Sequence, residues 1–199
     1  MASYRAVNGV LLALENFFTA RMPAEFTDGP INARVELLGS ADITDPINGN
    51  ALGIYLHRIK IDPHGRARFF PPQGTSNGEG SAGELPINLH ILLVATGTSA
   101  TIEANLMAWA MTALANESQM DISHLAENDN EWSQKESLTI TPEDMSTEDL
   151  MRIWDVFNTQ YTTSVPYVVR TVRLRLQIPE TQGPAVISRV FPTGVADRE

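Results

Sequence analysis

One segment alternates so regularly between apolar and polar residues that it restricts the fold of the whole chain. In LPINLHILLVAT, residues 85–96, every second side chain from Leu85 to Leu93 is a leucine or an isoleucine. Successive side chains of a strand point to opposite faces of a sheet, so these apolar residues share one face. Because an apolar face must be covered, the segment predicts a sheet that packs against a second layer.

Three segments have the apolar spacing of amphipathic helices: residues 4–21, residues 99–116 and a helix that opens at Ser146. Their predicted capping residues are Ser3, then Thr98 or Ser99, and then Ser146 with Asp149 in a capping-box position. The predicted buried residues are, in chain order, Val7, Val10, Leu11, Leu14, Phe17 and Phe18; Ile102, Leu106, Trp109 and Ala113; and Leu150, Ile153, Trp154 and Phe157.

Further segments favour strands: 33–38, 52–61, a short one within 135–144 that breaks at Pro142, and a last one that ends at Ile178. Alternation places on one face of the last strand Val168, Val172, Leu174, Leu176 and Ile178, with Arg170 as an interruption. The opposite face carries Thr171, Arg173, Arg175 and Gln177. The element order predicts a single α/β (α+β) domain at 1–178, with an exposed loop at 62–84 and a C-terminal tail at 179–199.

The composition is that of a domain that needs no covalent support. The chain has 199 residues, of which 43% are hydrophobic, and this is enough to bury a core without a disulfide or a metal. It has no cysteine, which excludes disulfide frameworks, thiol nucleophiles and thiolate zinc sites and fits a reducing cytoplasm. The first residues lack the basic region of a signal peptide, and no apolar run approaches the ~20 residues of a membrane span.

Charge is distributed unevenly along the chain. The net charge of -10 argues against a nucleic-acid partner, which would need a basic surface. Eleven acidic residues lie between Glu117 and Asp155, against only Lys135 and Arg152. Positive charge collects in two clusters, which are Arg58, Lys60, Arg66 and Arg68, and Arg170, Arg173 and Arg175. One patch alone is typical of a solvated face, whereas the two signs together predict contact with a complementary surface, such as another copy of the chain.

No motif with a defined chemistry occurs in the context that it requires. GEGSAG, residues 78–83, follows a Pro-rich loop and opens a strand, whereas the G-x-G-x-x-G of a dinucleotide site follows a strand and opens a helix. His57 and His90 lie on candidate neighbouring strands, but no i, i+4 pair or H-x-H spacing supports a metal site, so we interpret them as surface or partly buried histidines. The sequence predicts no catalytic, cofactor-binding or metal-binding residue. It leaves open a small cytoplasmic enzyme or a ligand-binding protein whose pocket the sequence hides.

Four segments resemble the cap, or tail-terminator, proteins of phage-tail-like contractile injection systems. They are AVNGVLLALENFF, GIYLHRIKIDPHGRARFFPP, LPINLHILLVATG and DLMRIWDVFNTQYTTSVPYVVRTVRLRL. The last is the most specific, because a helix with Trp154 and Phe157 passes through a short polar step into SVPY and a strand. The likeness runs from Tyr4 to about Ile178 and departs from the family at the Gly-rich residues 74–83.

The resemblance implies a structural role and no reaction chemistry. It implies a twisted mixed sheet packed by about three helices, in a protein that ends the inner tube and the contractile sheath of the particle. Such a protein forms a ring, expected to be a homohexamer, and its partners are its own copies and the tube and sheath proteins, with no nucleic acid and no membrane. It is made in the cytoplasm and incorporated at the end of the particle, with which it can be released from the cell.

The C-terminal tail contains a further candidate interface. AVISRVF, residues 185–191, has high β-propensity and a single charged residue. Such a segment is suited to adding a strand to the edge of a neighbouring sheet or to folding back on its own domain. The residues that would make this contact are Val186, Ile187 and Phe191.

Overall fold

A computed structural model describes residues 3–40, 42, 49–62, 84–120, 132, 137–157 and 161–175. The helices in this part of the chain are α1 (Ala6–Arg21), α2 (Ala24–Thr27), α3 (Ala100–Asn116) and α4 (Thr147–Phe157). The strands are β1 (Arg34–Leu38), β2 (Ala51–Ile61), β3 (Glu84–Thr96), β4 (Gln119–Met120), β5 (Leu138–Pro142) and β6 (Ser164–Arg175). The short α2 and β4 were not predicted, because segments of four and two residues are too short to show a period.

The strands form one mixed sheet in the order β1-β2-β3-β6-β5-β4. Strand β1 is parallel to β2, and the other neighbouring pairs are antiparallel. The two long strands β3 and β6 pair at the centre, with Glu84 opposite Arg175 and Val94 opposite Ser164. The predicted α+β class with a mixed sheet is confirmed.

One face of the sheet, here called the α1/α3 face, carries the main hydrophobic core. The alternation predicted for β3 is confirmed, since Ile87, Leu89, Ile91 and Leu93 are all buried in this core. Two helices cover them with the side chains of Val10, Leu14, Phe17 and Phe18 from α1, and of Leu106, Met107, Ala110 and Leu114 from α3. The buried row of α3 is therefore rotated from the predicted one, and Trp109 and Ala113 lie partly buried at its edge.

The opposite face, here called the α4 face, carries a smaller core beneath α4. It consists of Leu38, Tyr55, Leu92, Val94 and Trp154, with Leu150 and Ile153 partly buried against it. Three of the four residues predicted for the buried face of α4 thus contact the sheet, and the side chain of Phe157 lies outside the described residues. Gly53 allows Leu38 to pack here, because a Cβ at that position would lie 2.4 Å from the Leu38 Cδ1.

The predicted helix caps are correct for two helices and wrong for the first. The Ser99 side chain accepts a hydrogen bond from the N–H of Ile102 in α3, and Ser146 accepts one at 3.1 Å from the N–H of Asp149 in α4. Helix α1 begins at Ala6, later than predicted, and its N-cap position is Arg5. Ser3 lies outside the helix, where its hydroxyl accepts a hydrogen bond from the Arg5 N–H at 3.2 Å.

The predicted facing of β6 is wrong at Val168 and Arg170. The register between β3 and β6 shifts between Ile87 and Leu89, which pair with Val172 and Val169 respectively. The extra residue in β6 moves each side chain before the shift to the opposite face. Val172 therefore shares the α1/α3 core with Tyr167 and Val169, whereas Val168 points to the α4 face opposite His90.

Candidate interface and a buried polar cluster

Four of the basic residues singled out in the sequence lie on one face of the sheet. Arg58 pairs with His90 and Lys60 with Asn88, on the side of β3 opposite the α1/α3 core. On β6, Arg170 pairs with Thr139 and Arg173 with Pro86, on that same side. We call Arg58, Lys60, Arg170 and Arg173 the basic strip of the α4 face. Lys60 and Arg170 are exposed to solvent.

The other predicted interface residues lie outside the part of the chain that the structure describes. Arg66 and Arg68, and the tail residues Val186, Ile187 and Phe191, lie outside the described residues. The same holds for the side chain of Arg175 and for the Gly-rich segment 78–83.

Part of the acidic stretch between Glu117 and Asp155 is paired within the chain. Glu117 accepts a hydrogen bond from Arg21 at 2.5 Å, and Glu148 pairs with Arg152 along α4 at 2.6 Å. Asp144 and Asp155 are exposed on the same part of the chain. Among the described residues, the acidic stretch therefore presents paired carboxylates at the end of α3 and on α4, and solvent-facing ones on or just before α4.

A buried polar cluster of His57, His90 and Glu143 lies beside the basic strip. A register shift in β2 between Leu56 and Arg58 leaves His57 and Arg58 together opposite His90. Glu143 follows the last residue of β5, and its N–H donates to the Pro166 carbonyl at 3.0 Å, which extends the pairing with β6. The cluster thus joins β2, β3 and the end of β5, and the Glu143 side chain passes over β6 to reach His90.

The contacts within this cluster use both oxygens of Glu143. Its Oε2 lies 2.8 Å from the His90 Nδ1 and 4.0 Å from the His57 Nε2. Its Oε1 accepts a hydrogen bond from Arg58 at 2.9 Å. The two imidazole rings meet edge to face, with centroids 6.0 Å apart. Both histidine side chains are more than nine-tenths buried, and that of Glu143 is 15% exposed.

Burial controls the protonation of His57. The pKa of its imidazole is lowered to about 4, mainly by desolvation; Glu143 acts to raise it, and Arg58 and His90 act to lower it. At neutral pH His57 is therefore uncharged, with a lone pair available on one ring nitrogen. One nitrogen from each histidine and one Glu143 oxygen all lie within 4.8 Å of one another.

Sequence reasoning found the facing histidines but missed Glu143. The two strands on which His57 and His90 lie were predicted, and these strands pair as expected. Glu143 is separated from His90 by 53 residues, and the two meet only because β5 and β3 flank the same strand. A sequence feature that could have pointed to Glu143 is the break in the strand pattern at Pro142, because β5 ends there and Glu143 is the next residue.

The sheet and its four helices have the fold of sheath and tube terminators. The chain is similar to a PVC sheath/tube terminator from an extracellular contractile injection system in the extended state, with a TM-score of 0.58 and 19% identity over 96% of this chain and 65% of that chain. It is also similar to the tube-terminating cap of the anti-feeding prophage, with a TM-score of 0.53 and 14% identity over 93% of this chain and 59% of that chain. The chain thus spans less than two thirds of the length of either structure.

The chain belongs to the Pvc16 N-terminal domain family. The family model matches residues 9–188, which include most of α1 and every later element described above. No curated protein matches the chain. Within the described residues, no helix is long and apolar enough to cross a membrane.

Proposed function

We propose that this protein is a structural cap that ends the inner tube and the contractile sheath of a phage-tail-like injection particle. The observation that carries the proposal is the fold, which aligns over 96% of this chain with a sheath/tube terminator. The family match over residues 9–188 supports it independently. The similar structures are caps, which favours an assembly role over an enzyme or a ligand-binding protein.

In this proposal the cap is a ring of identical subunits, a homohexamer, that contacts the tube and the sheath. A closed ring of more than two copies needs two different surfaces that fit each other. The basic strip on the α4 face and the acidic stretch between Glu117 and Asp155 have opposite charge, so they are suited to meet between neighbouring subunits. Contacts of this kind orient the subunits more than they add affinity.

The cap is not an enzyme, so it catalyses no reaction and uses no catalytic cofactor. It is made in the cytoplasm and becomes part of the particle, with which it can leave the cell. The domain at 1–178 makes the ring, and the tail at 179–199 adds a strand to a neighbouring subunit or to the sheath through Val186, Ile187 and Phe191.

Removing the gene from cells that make the particle tests this function. The expected result is tubes and sheaths of irregular or excessive length, measured by negative-stain electron microscopy and restored by the wild-type chain. A gene deletion that leaves length and sheath completeness unchanged would contradict the proposed function.

A further inference from the structure

A buried imidazole nitrogen without a partner lies in this cluster. Among the described residues, the Nε2 of His57 has no hydrogen-bond partner, although the His57 side chain is more than nine-tenths buried. It lies 4.0 Å from the Glu143 Oε2, the same oxygen that contacts the His90 Nδ1. Since buried polar groups are almost always satisfied, this nitrogen indicates a missing partner in the cluster.

The geometry fits a small cation better than another hydrogen-bonding group. The His90 Nδ1 and the Glu143 Oε2 are already 2.8 Å apart, and the His57 Nε2 lies 4.0 Å from the same oxygen. Zinc binds imidazole nitrogen and carboxylate oxygen at roughly 2.0–2.2 Å, which places tetrahedral ligands about 3.3 Å from one another. Small rotations of the His57 and Glu143 side chains would bring the three atoms to this spacing.

The charges around the cluster also suit a cation. Each imidazole offers one ring nitrogen to a cation, and Glu143 offers a carboxylate oxygen. The Arg58 guanidinium lies 2.9 Å from the Glu143 Oε1 and 3.2 Å from the His90 Nδ1, so a cation that binds here competes with it. The exposed Arg58 side chain is able to move away from His90 when a cation enters.

We propose that His57, His90 and Glu143 bind one Zn²⁺ ion in a structural site that joins β2, β3 and the end of β5. Two imidazoles and one carboxylate favour zinc over magnesium or calcium, which prefer oxygen ligands throughout. Water completes the coordination. The ion fixes Glu143 over β6 and so stabilises the part of the α4 face that carries the basic strip. The site does not depend on the proposed cap function, because it concerns the fold of one subunit.

The alternative is an ion-pair network in which Glu143 simply neutralises Arg58 and accepts from His90. The variant Arg58→Ala separates the two. A network without a metal loses the guanidinium that pairs with Glu143, so Arg58→Ala destabilises the protein with and without zinc. A zinc site loses a competing cation, so in Arg58→Ala zinc binds at least as tightly as in the wild type.

Metal titration of the untagged full chain tests the site. We expect calorimetry with Zn²⁺ to show one ion bound per chain, and Co²⁺ to give the visible absorption of a tetrahedral site. Glu143→Gln and His57→Ala should each weaken binding by about tenfold or more. The matched control is Glu148→Gln, the same change at an exposed ion pair on α4.

Thermal unfolding gives a second measurement that does not require every variant to be equally stable. Zinc should raise the Tm of the wild type, of Arg58→Ala and of Glu148→Gln, and leave that of Glu143→Gln unchanged. The proposal is wrong if the wild type binds no zinc at one ion per chain. It is equally wrong if Glu143→Gln binds zinc as tightly as Glu148→Gln, since binding would then be adventitious and lie elsewhere.

Discussion

The indole Nε1 of Trp154 donates a hydrogen bond to the Oγ of Ser164 at 3.1 Å, and this bond joins α4 to the first residue of β6. Both side chains are buried, at 5% and 7% exposure. Trp154 also packs on Leu92 and Val94 of the central strand. The helix and the strand that follow each other near the end of the described chain are thus one packed unit, and this unit builds the α4 face.

Ser164→Ala should destabilise the protein by about 1–3 kcal/mol, because it leaves the buried indole N–H without an acceptor. Trp154→Phe should also destabilise it, through the smaller ring. The double variant should lose less than the sum of the two, since the same hydrogen bond is removed in each. Urea unfolding measures all three. Strict additivity would show that the bond contributes nothing.

Gly53→Ala should destabilise the protein by about 1–3 kcal/mol, because the new methyl group overlaps the Leu38 side chain. The loss should be smaller in a Leu38→Ala background, where the side chain that it meets is gone. Thermal unfolding of the four proteins in this cycle measures the coupling. An equal loss in both backgrounds would mean that contact with Leu38 is not the cause.

Lys60→Glu with Arg170→Glu should weaken subunit assembly without lowering the Tm, because both side chains are exposed. The matched control, Arg152→Glu, adds negative charge on α4 within the acidic stretch and should leave assembly intact. Light scattering after size-exclusion chromatography, or capping of particles, provides the measurement. Wild-type assembly should itself weaken at about 1 M salt, where charges are screened over roughly 3 Å. If neither high salt nor charge reversal weakens assembly, the electrostatic part of the proposal is wrong.

Deletion of residues 180–199 should leave a folded subunit but give particles with poor caps or excessive length. The reason is that an extended apolar segment such as 185–191 can add a strand to an exposed sheet edge. In the described sheet the edge strands are β1 and β4. Particle length by electron microscopy measures the effect, with circular dichroism as the check on folding. Normal particle length with the truncated chain would show that strand addition is not needed.

The sequence was most informative where a pattern was long and regular. The alternation from Leu85 to Leu93 predicted both the strand and its buried face, and the spacing of Leu150, Ile153 and Trp154 predicted the packed face of α4. Both follow from local periods that depend on no other part of the chain.

The errors arose where an irregularity interrupts such a period. The extra residue in β6 turned Val168 to the α4 face, and nothing in the alternation before Arg170 marks that shift. The buried row of α3 depends on how the helix is rotated against α1 and β3, so Trp109 was placed too close to the centre of the core.

The polar cluster could not be predicted for a different reason. Its members are far apart in sequence, and they meet through the order of strands in the sheet, which spacing alone does not give. For the basic strip, the sequence identified the residues but not their common face. Its residues were identified by charge, but only the strand register shows that Lys60 and Arg170 lie on the same face of the sheet.

The most direct test of the central claim is to locate this protein in the assembled particle. Cryo-electron microscopy of purified particles that carry a small fused label on the chain provides the measurement. We expect a ring of label density at the end of the tube and sheath away from the baseplate, with the sixfold repeat of a homohexamer. Label found at the baseplate, along the sheath or absent from intact particles would contradict it.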